Sequence, residues 1–153
     1  MMQFDLVDID FTRGNCIVVP AILYPCSKNK NSKFNQITYL ILDTGATSVH
    51  ISKRQLYKLG YNDTMFTKDT KPSFAVTGKY YATLCKTERL DFCGLNFRNH
   101  NVKVWNPPAG HHTDGIIGMN ILRYFNISIN ADTQKVIIER SQQATNAKLR
   151  KST

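Results

Sequence analysis

Residues 39–48 read YLILDTGATS: four apolar residues, Tyr39, Leu40, Ile41 and Leu42, run directly into Asp43, Thr44, Gly45 and Ala46. An apolar run that stops at a glycine-bearing turn is the pattern of a buried strand feeding a tight loop. Asp43 therefore stands where a core ends and a loop begins. The Thr44 hydroxyl can hydrogen-bond to backbone and brace that loop. Gly45 has no Cβ, so its backbone can come close to the carboxylate or to a ligand. A carboxylate used for chemistry requires this layout, and a plain Asx turn closing a strand shares it. The flanking sequence separates the two.

Upstream, residues 36–42 are the strand that delivers Asp43, and residues 25–35 (PCSKNKNSKFN) are a polar, basic loop. Residues 16–24 are rich in Ile and Val and read as an earlier strand. Pro20 within it implies an edge or a bulge, because proline has no N–H to give to a ladder. Residues 4–11 alternate imperfectly and read as the first strand, followed by a turn at Arg13, Gly14 and Asn15. Downstream, Val49, His50 and Ile51 are extended. Ser52 is a good N-cap for a helix over residues 53–59, which Gly60 stops. Residues 61–71 read as loop or weak strand. Residues 72–76 and 80–85 flank Thr77, Gly78 and Lys79 as a hairpin. Strand continues over 86–92, turns at Cys93 and Gly94, and returns over 95–105 with Val102 and Val104 on one face. Residues 106–110 (NPPAG) are loop.

The second informative stretch starts at Asp114. A short apolar strand through Gly115, Ile116 and Ile117 ends at Gly118, and Ile121, Leu122 and Phe125 follow at helical spacing. Residues 126–130 and 135–139 form two last strands around a turn at Asp132 and Thr133. From about Arg140 the polar, basic composition predicts a disordered tail. Many short strands with Gly and Pro turns and two short helices give an all-β domain built as a closed or folded-over sheet. Its two halves echo each other: an apolar strand, a glycine-bearing loop and a short helix occur over 40–59 and again over 116–125.

The chain has 153 residues, enough for one domain with a real core: residues 1–139, with 140–153 as the tail. Hydrophobic residues make up 42% and charged ones 20%, which argues against global disorder. No window approaches the ~20 apolar residues of a membrane span, and the N-terminus lacks the basic and apolar regions of a signal peptide. A cytoplasmic location is the default expectation, with no membrane partner. Cys16, Cys26, Cys85 and Cys93 form no C-x-x-C pair, so a zinc site is not indicated and free thiols are expected. Cys85 and Cys93 flank a hairpin and could approach one another, with packing as the default for both. His111 and His112 lack a third ligand at sensible spacing, so they read as a solvated loop and no metal or other cofactor is expected. His50 reads as a packed or surface histidine, and Phe97 and Trp105 as core. The net charge of +9 leaves open a nucleic-acid-binding β-barrel, but no nucleic-acid motif accompanies it.

ILDTGAT at residues 41–47, followed by a short helix, resembles the active-site loop of the retropepsin-like aspartic proteases. DGIIGMNIL at residues 114–122 resembles the apolar-apolar-Gly element and C-terminal helix of the same family, and Val76, Thr77 and Gly78 sit where that family has its flap. The resemblance covers residues 15–139. It implies an aspartic endopeptidase that acts on protein or peptide substrates, with Asp43, Thr44 and Gly45 as catalytic residues. It also implies Thr44 bracing two active-site loops across a dimer axis. Ala46, Val76, Thr77, Gly78 and Ile116 or Ile117 would bind substrate, with structural core as the competing reading for both isoleucines.

Aspartic proteolysis needs two carboxylates a few ångströms apart, sharing one proton and holding a water. This chain has one Asp-Thr-Gly. Asp114 lies before its apolar strand rather than at the end of it, so the simpler expectation is an isologous homodimer with one Asp43 from each subunit. Viral members carry acidic residues just after the motif and an Arg after the second Gly. Here those places hold Thr47, Ser48 and Met119, so the chain looks more like cellular or bacterial members. The flap is also poorer in glycine. The competing expectation is a silent peptide-binding or assembly module of the same fold.

Overall fold

The computed structural model describes residues 2–5, 16–29, 31, 34–110, 113–133, 135–142 and 144. In chain order its first strands are β1 (Met2–Asp5), β2 (Val18–Leu23), β3 (Gln36–Leu42) and β4 (His50–Ser52). Helix α1 (Lys53–Lys58) and a 3-10 turn (Asp63–Met65) lead to β5 (Phe66–Lys68), β6 (Ser73–Ala75) and β7 (Gly78–Tyr80). The long strands β8 (Thr83–Phe92) and β9 (Leu95–Trp105) precede β10 (Gly115–Ile117), α2 (Met119–Leu122), β11 (Phe125–Asn130) and β12 (Lys135–Arg140). The expected continuation of the first strand beyond Asp5, the turn at Arg13, Gly14 and Asn15, the pair His111 and His112, and the tail from residue 145 lie outside the described residues.

Six strands close a barrel in the order β2-β3-β10-β4-β9-β8, and β8 pairs back onto β2. The closure is short: only Ile22 and Leu23 meet Asp91 and Leu90. Pro20 lies on the part of β2 where β3 alone is a partner, so no second ladder needs the N–H it lacks. β5 extends the sheet from β8, and β6 and β7 form a separate two-stranded hairpin. The terminal strands do not enter the barrel. β11 and β12 pair with β1 in a three-stranded sheet of their own, and Phe92 and Phe125 meet edge to face at 5.2 Å between ring centroids where this sheet packs on the barrel.

Alternation along the strands builds the core. Leu40 on β3, Ile51 on β4, Leu90 on β8, Val102 on β9 and Ile117 on β10 are all fully buried. Leu56 and Leu59 seal one end from α1. Ser52 caps that helix, its side chain accepting from the Gln55 N–H, and Gly60 follows it at φ 82°. Gln55 in turn donates to Thr38 Oγ1 at 3.0 Å, tying the helix to β3 through two buried polar side chains. Cys93 and Gly94 both adopt positive φ in the two-residue turn between β8 and β9. Ser141 and Ala144 continue past β12 in a turn, and Ala144 is buried.

The hairpin expected around Thr77, Gly78 and Lys79 turns earlier, at Val76 and Thr77, and Ala75 pairs with Gly78. Its second strand ends at Tyr80 and is distinct from β8. Residues 61–71 hold the 3-10 turn and β5, and the second helix is a single turn that ends before Phe125.

Candidate active site

β10 enters the barrel as a wedge between β3 and β4, parallel to the first and antiparallel to the second. Gly115 makes that possible: a Cβ there would lie 2.0 Å from the His50 carbonyl oxygen. The two strands that echo each other in sequence are thus neighbours, and each ends in a loop and a short helix. Leu42 pairs with Ile117, and the Asp43 N–H donates to the Ile117 carbonyl at 3.1 Å. Asp43 leaves β3 with its carboxylate fixed locally: Gly45 N–H donates to Asp43 Oδ1 at 2.8 Å, and Ala46 N–H donates to the Asp43 carbonyl at 3.2 Å. A Cβ on Gly45 would come within 3.1 Å of that same Oδ1.

The second strand's loop locks the first. Met119 N–H donates to the Ala46 carbonyl at 2.8 Å and Asn120 N–H to the Thr47 carbonyl at 3.1 Å. Gly118 lies beneath, where a Cβ would be 2.6–2.7 Å from backbone atoms of Ala46 and Ser48. Met119, where viral members of the resembled family carry Arg, is partly exposed. Thr44 and Gly45 are exposed, and the Thr44 side chain bonds to no other described residue.

Two half-buried histidines flank the loop. His50 Nδ1 lies 3.0 Å from the Ser48 carbonyl, so the neutral ring carries its proton there. Burial pushes its pKa down. The Ser48 carbonyl and the Asp43 carboxylate oppose that shift, and Lys103 adds to it. His100 is also lowered by burial, and its Nε2 accepts from Asn120 Nδ2 at 2.9 Å.

Asp114 cannot reach Asp43. It stands at the opposite end of β10, about three residues or 10 Å away along a strand. Its carboxylate accepts from Tyr39 N–H at 2.9 Å and its own N–H donates to the Tyr39 carbonyl.

A family model described as the gag-polyprotein putative aspartyl protease matches residues 33–124, more than half of the chain. The chain belongs to this aspartic protease family. The crystal structure of a retropepsin-like aspartic protease from Rickettsia conorii is similar in fold at a TM-score of 0.56 and 20% identity, covering 82% of this chain and 83% of that one. No protein with a curated description matches the chain in sequence. The barrel is therefore the retropepsin-like fold expected from residues 41–47 and 114–122.

Within that family fold the anticipated residues fall in two places. Asp43, Thr44, Gly45 and Ala46 form the loop at the end of β3. Val76, Thr77 and Gly78 form the fully exposed tip of the β6–β7 hairpin. The isoleucine pair divides: Ile117 is fully buried in the core, where it packs rather than lines a cleft, while Ile116 is half-buried on the opposite face of β10. No pairing links Cys85 and Cys93. Cys85 is buried beside Cys26 and its thiol is pushed up to about 11. Residues that the sequence did not flag are Lys103 on β9 and Ser73 and Tyr80 at the hairpin base, joined by a hydrogen bond from Lys103 Nζ to Ser73 Oγ at 2.8 Å. Among the described residues no group of three His, Cys, Asp or Glu could hold a metal, and no helix is long and apolar enough to cross a membrane.

Proposed function

We propose that the protein is an aspartic endopeptidase that works as a homodimer, each subunit supplying one Asp43. The observation that carries this is the Asp43 loop: a carboxylate pinned by Gly45 N–H in a rigid, crowded loop whose outer residues, Thr44 and Gly45, are left exposed by a single chain. A lone carboxylate cannot both activate water and protonate a carbonyl. A two-fold axis beside Thr44 would bring a second Asp43 to the first, and the two would share one proton. The ionised member takes a proton from water while the protonated one donates to the scissile carbonyl. Thr44 would donate across the axis, and the Gly45 backbone would face carboxylate or substrate.

Substrate would lie extended between this loop and the β6–β7 hairpin, which acts as the flap, with Val76, Thr77 and Gly78 closing over it. Ala46 and Ile116 would line the cleft. Asp43→Asn should remove peptide cleavage while leaving the thermal melt and the far-UV spectrum unchanged. Sedimentation at micromolar concentration should give a dimer, or a monomer driven to dimer by a statine-type inhibitor. Retained cleavage in the Asn variant would sink the proposal, and tight peptide binding without hydrolysis by the wild type would favour the silent binding module.

A further inference from the structure

Register fixes which side chains share a face. Ile41, Ile116, His50, Lys103 and Leu84 stand opposite one another on the successive strands β3, β10, β4, β9 and β8. They lie on the face opposite the one that carries Ile51 and Val102 into the core. Asp43, two residues beyond Ile41, leaves β3 on this same face. The flap covers the far end of the row. Lys103 Nζ donates to Ser73 Oγ at 2.8 Å and lies 5.7 Å from the centroid of the Tyr80 ring, and Ser73 and Tyr80 are cross-strand partners at the flap base. The row thus runs from the carboxylate to the underside of the flap.

Lys103 is only 8% exposed, and no carboxylate among the described residues pairs with it. A buried ammonium normally has an anionic partner, because desolvating it costs several kcal/mol that a hydroxyl and a ring face offset only in part. His50 is its direct register partner, and because its one ring proton is on Nδ1 toward Ser48, it brings no second positive charge and no donor to that face. Lys103, on the row that leads from Asp43 to the hairpin base, is thus the group placed to receive an anion beside the reacting carboxylate rather than on it.

We propose that Lys103 is a specificity-determining residue, its ammonium forming the floor of a subsite that accepts a glutamate or aspartate side chain of the peptide substrate. The inference rests on the protease reading and names the substrate class of the same cleft. A carboxylate entering there would pair with Lys103 under the flap, so an acidic residue would both select the peptide and hold the flap closed over it.

The test is cleavage of a random peptide library by the wild type, Lys103→Arg and Lys103→Met, read by mass spectrometry. Matched peptides carrying Glu or Gln at the enriched position would follow. The wild type should enrich an acidic residue at one position near the cut and should cleave the Glu peptide roughly tenfold better in kcat/KM than the Gln peptide. Lys103→Arg should keep that preference, and Lys103→Met should bring the ratio close to one. If Lys103→Met slows both peptides equally and keeps the wild-type ratio, Lys103 only braces the flap and the proposal falls. A wild-type ratio near one overturns it without any variant having to fold, and leaves the protease reading standing. Cleavage of no peptide at all overturns the protease reading and the subsite with it.

Discussion

The two regions that would meet around a substrate are built on opposite principles. The Asp43 loop has almost no freedom. Its backbone is bonded to Ile117, Met119 and Asn120, and Gly118 fills a space with no room for one more carbon. The proposed flap, β6–β7, is a two-stranded hairpin outside the barrel sheet, with Phe74 and Val76 exposed and nothing within 4 Å of a Cβ placed on Gly78. Both regions use glycine, for different reasons. Gly118 is needed for closeness, and Gly78 for its φ of 119°. A carboxylate must be held within a fraction of an ångström to act on water, whereas a cover must open for each peptide.

The sharpest way to break that contrast is Gly118→Ala. The added carbon meets backbone rather than a yielding side chain, so the active loop must shift. A loss of about 3 kcal/mol or more in chemical denaturation is expected, with loss of cleavage. A stable, active Gly118→Ala protein would show that the loop is looser than its packing implies. Gly78→Ala should separate the two regions. Strain of about 1–3 kcal/mol falls on a hairpin that opens locally. Cleavage should therefore slow severalfold while the thermal midpoint stays within about 2 °C.

The smallest expected effect lies away from both, at the seam where β2 meets β8. Burial opposes the charge of Asp91, but hydrogen bonds from Arg89, Asn96 and Tyr24 outweigh it and hold its pKa below the usual carboxylate range. Because the folded value is the lower one, this contribution is complete above the unfolded value of about 3.9 and is lost as pH falls through the folded value. Thermal melts over that acid range should flatten in Asp91→Asn. An unchanged slope would remove Asp91 from the seam's energetics.

Sequence carried the Asp43 loop better than the β6–β7 hairpin. β3 and β9 run where their apolar pattern placed them, and Ser52 caps α1 as read, because these signals are local. The hairpin turn shifted to Val76 and Thr77 because Gly78 serves as the first residue of β7, a choice fixed by pairing with Ala75. Ile116 and Ile117 look alike in sequence, and only the wedge of β10 decides which one is buried in the core. Lys103 sits between Val102 and Val104 like any outward residue of a half-buried strand. Its burial comes from a hairpin that starts some thirty residues earlier, which no local pattern records. The pairing of β1 with β12 joins the two ends of the chain and was equally out of local reach.

The central claim is that one active site contains two copies of Asp43. Co-refolding wild type with Asp43→Asn at fixed total concentration measures it directly. If each site needs both carboxylates, activity falls as the square of the wild-type fraction, to about a quarter in an equal mixture. A linear fall, with half the activity left in that mixture, would mean that each chain carries a complete site of its own and would contradict the account.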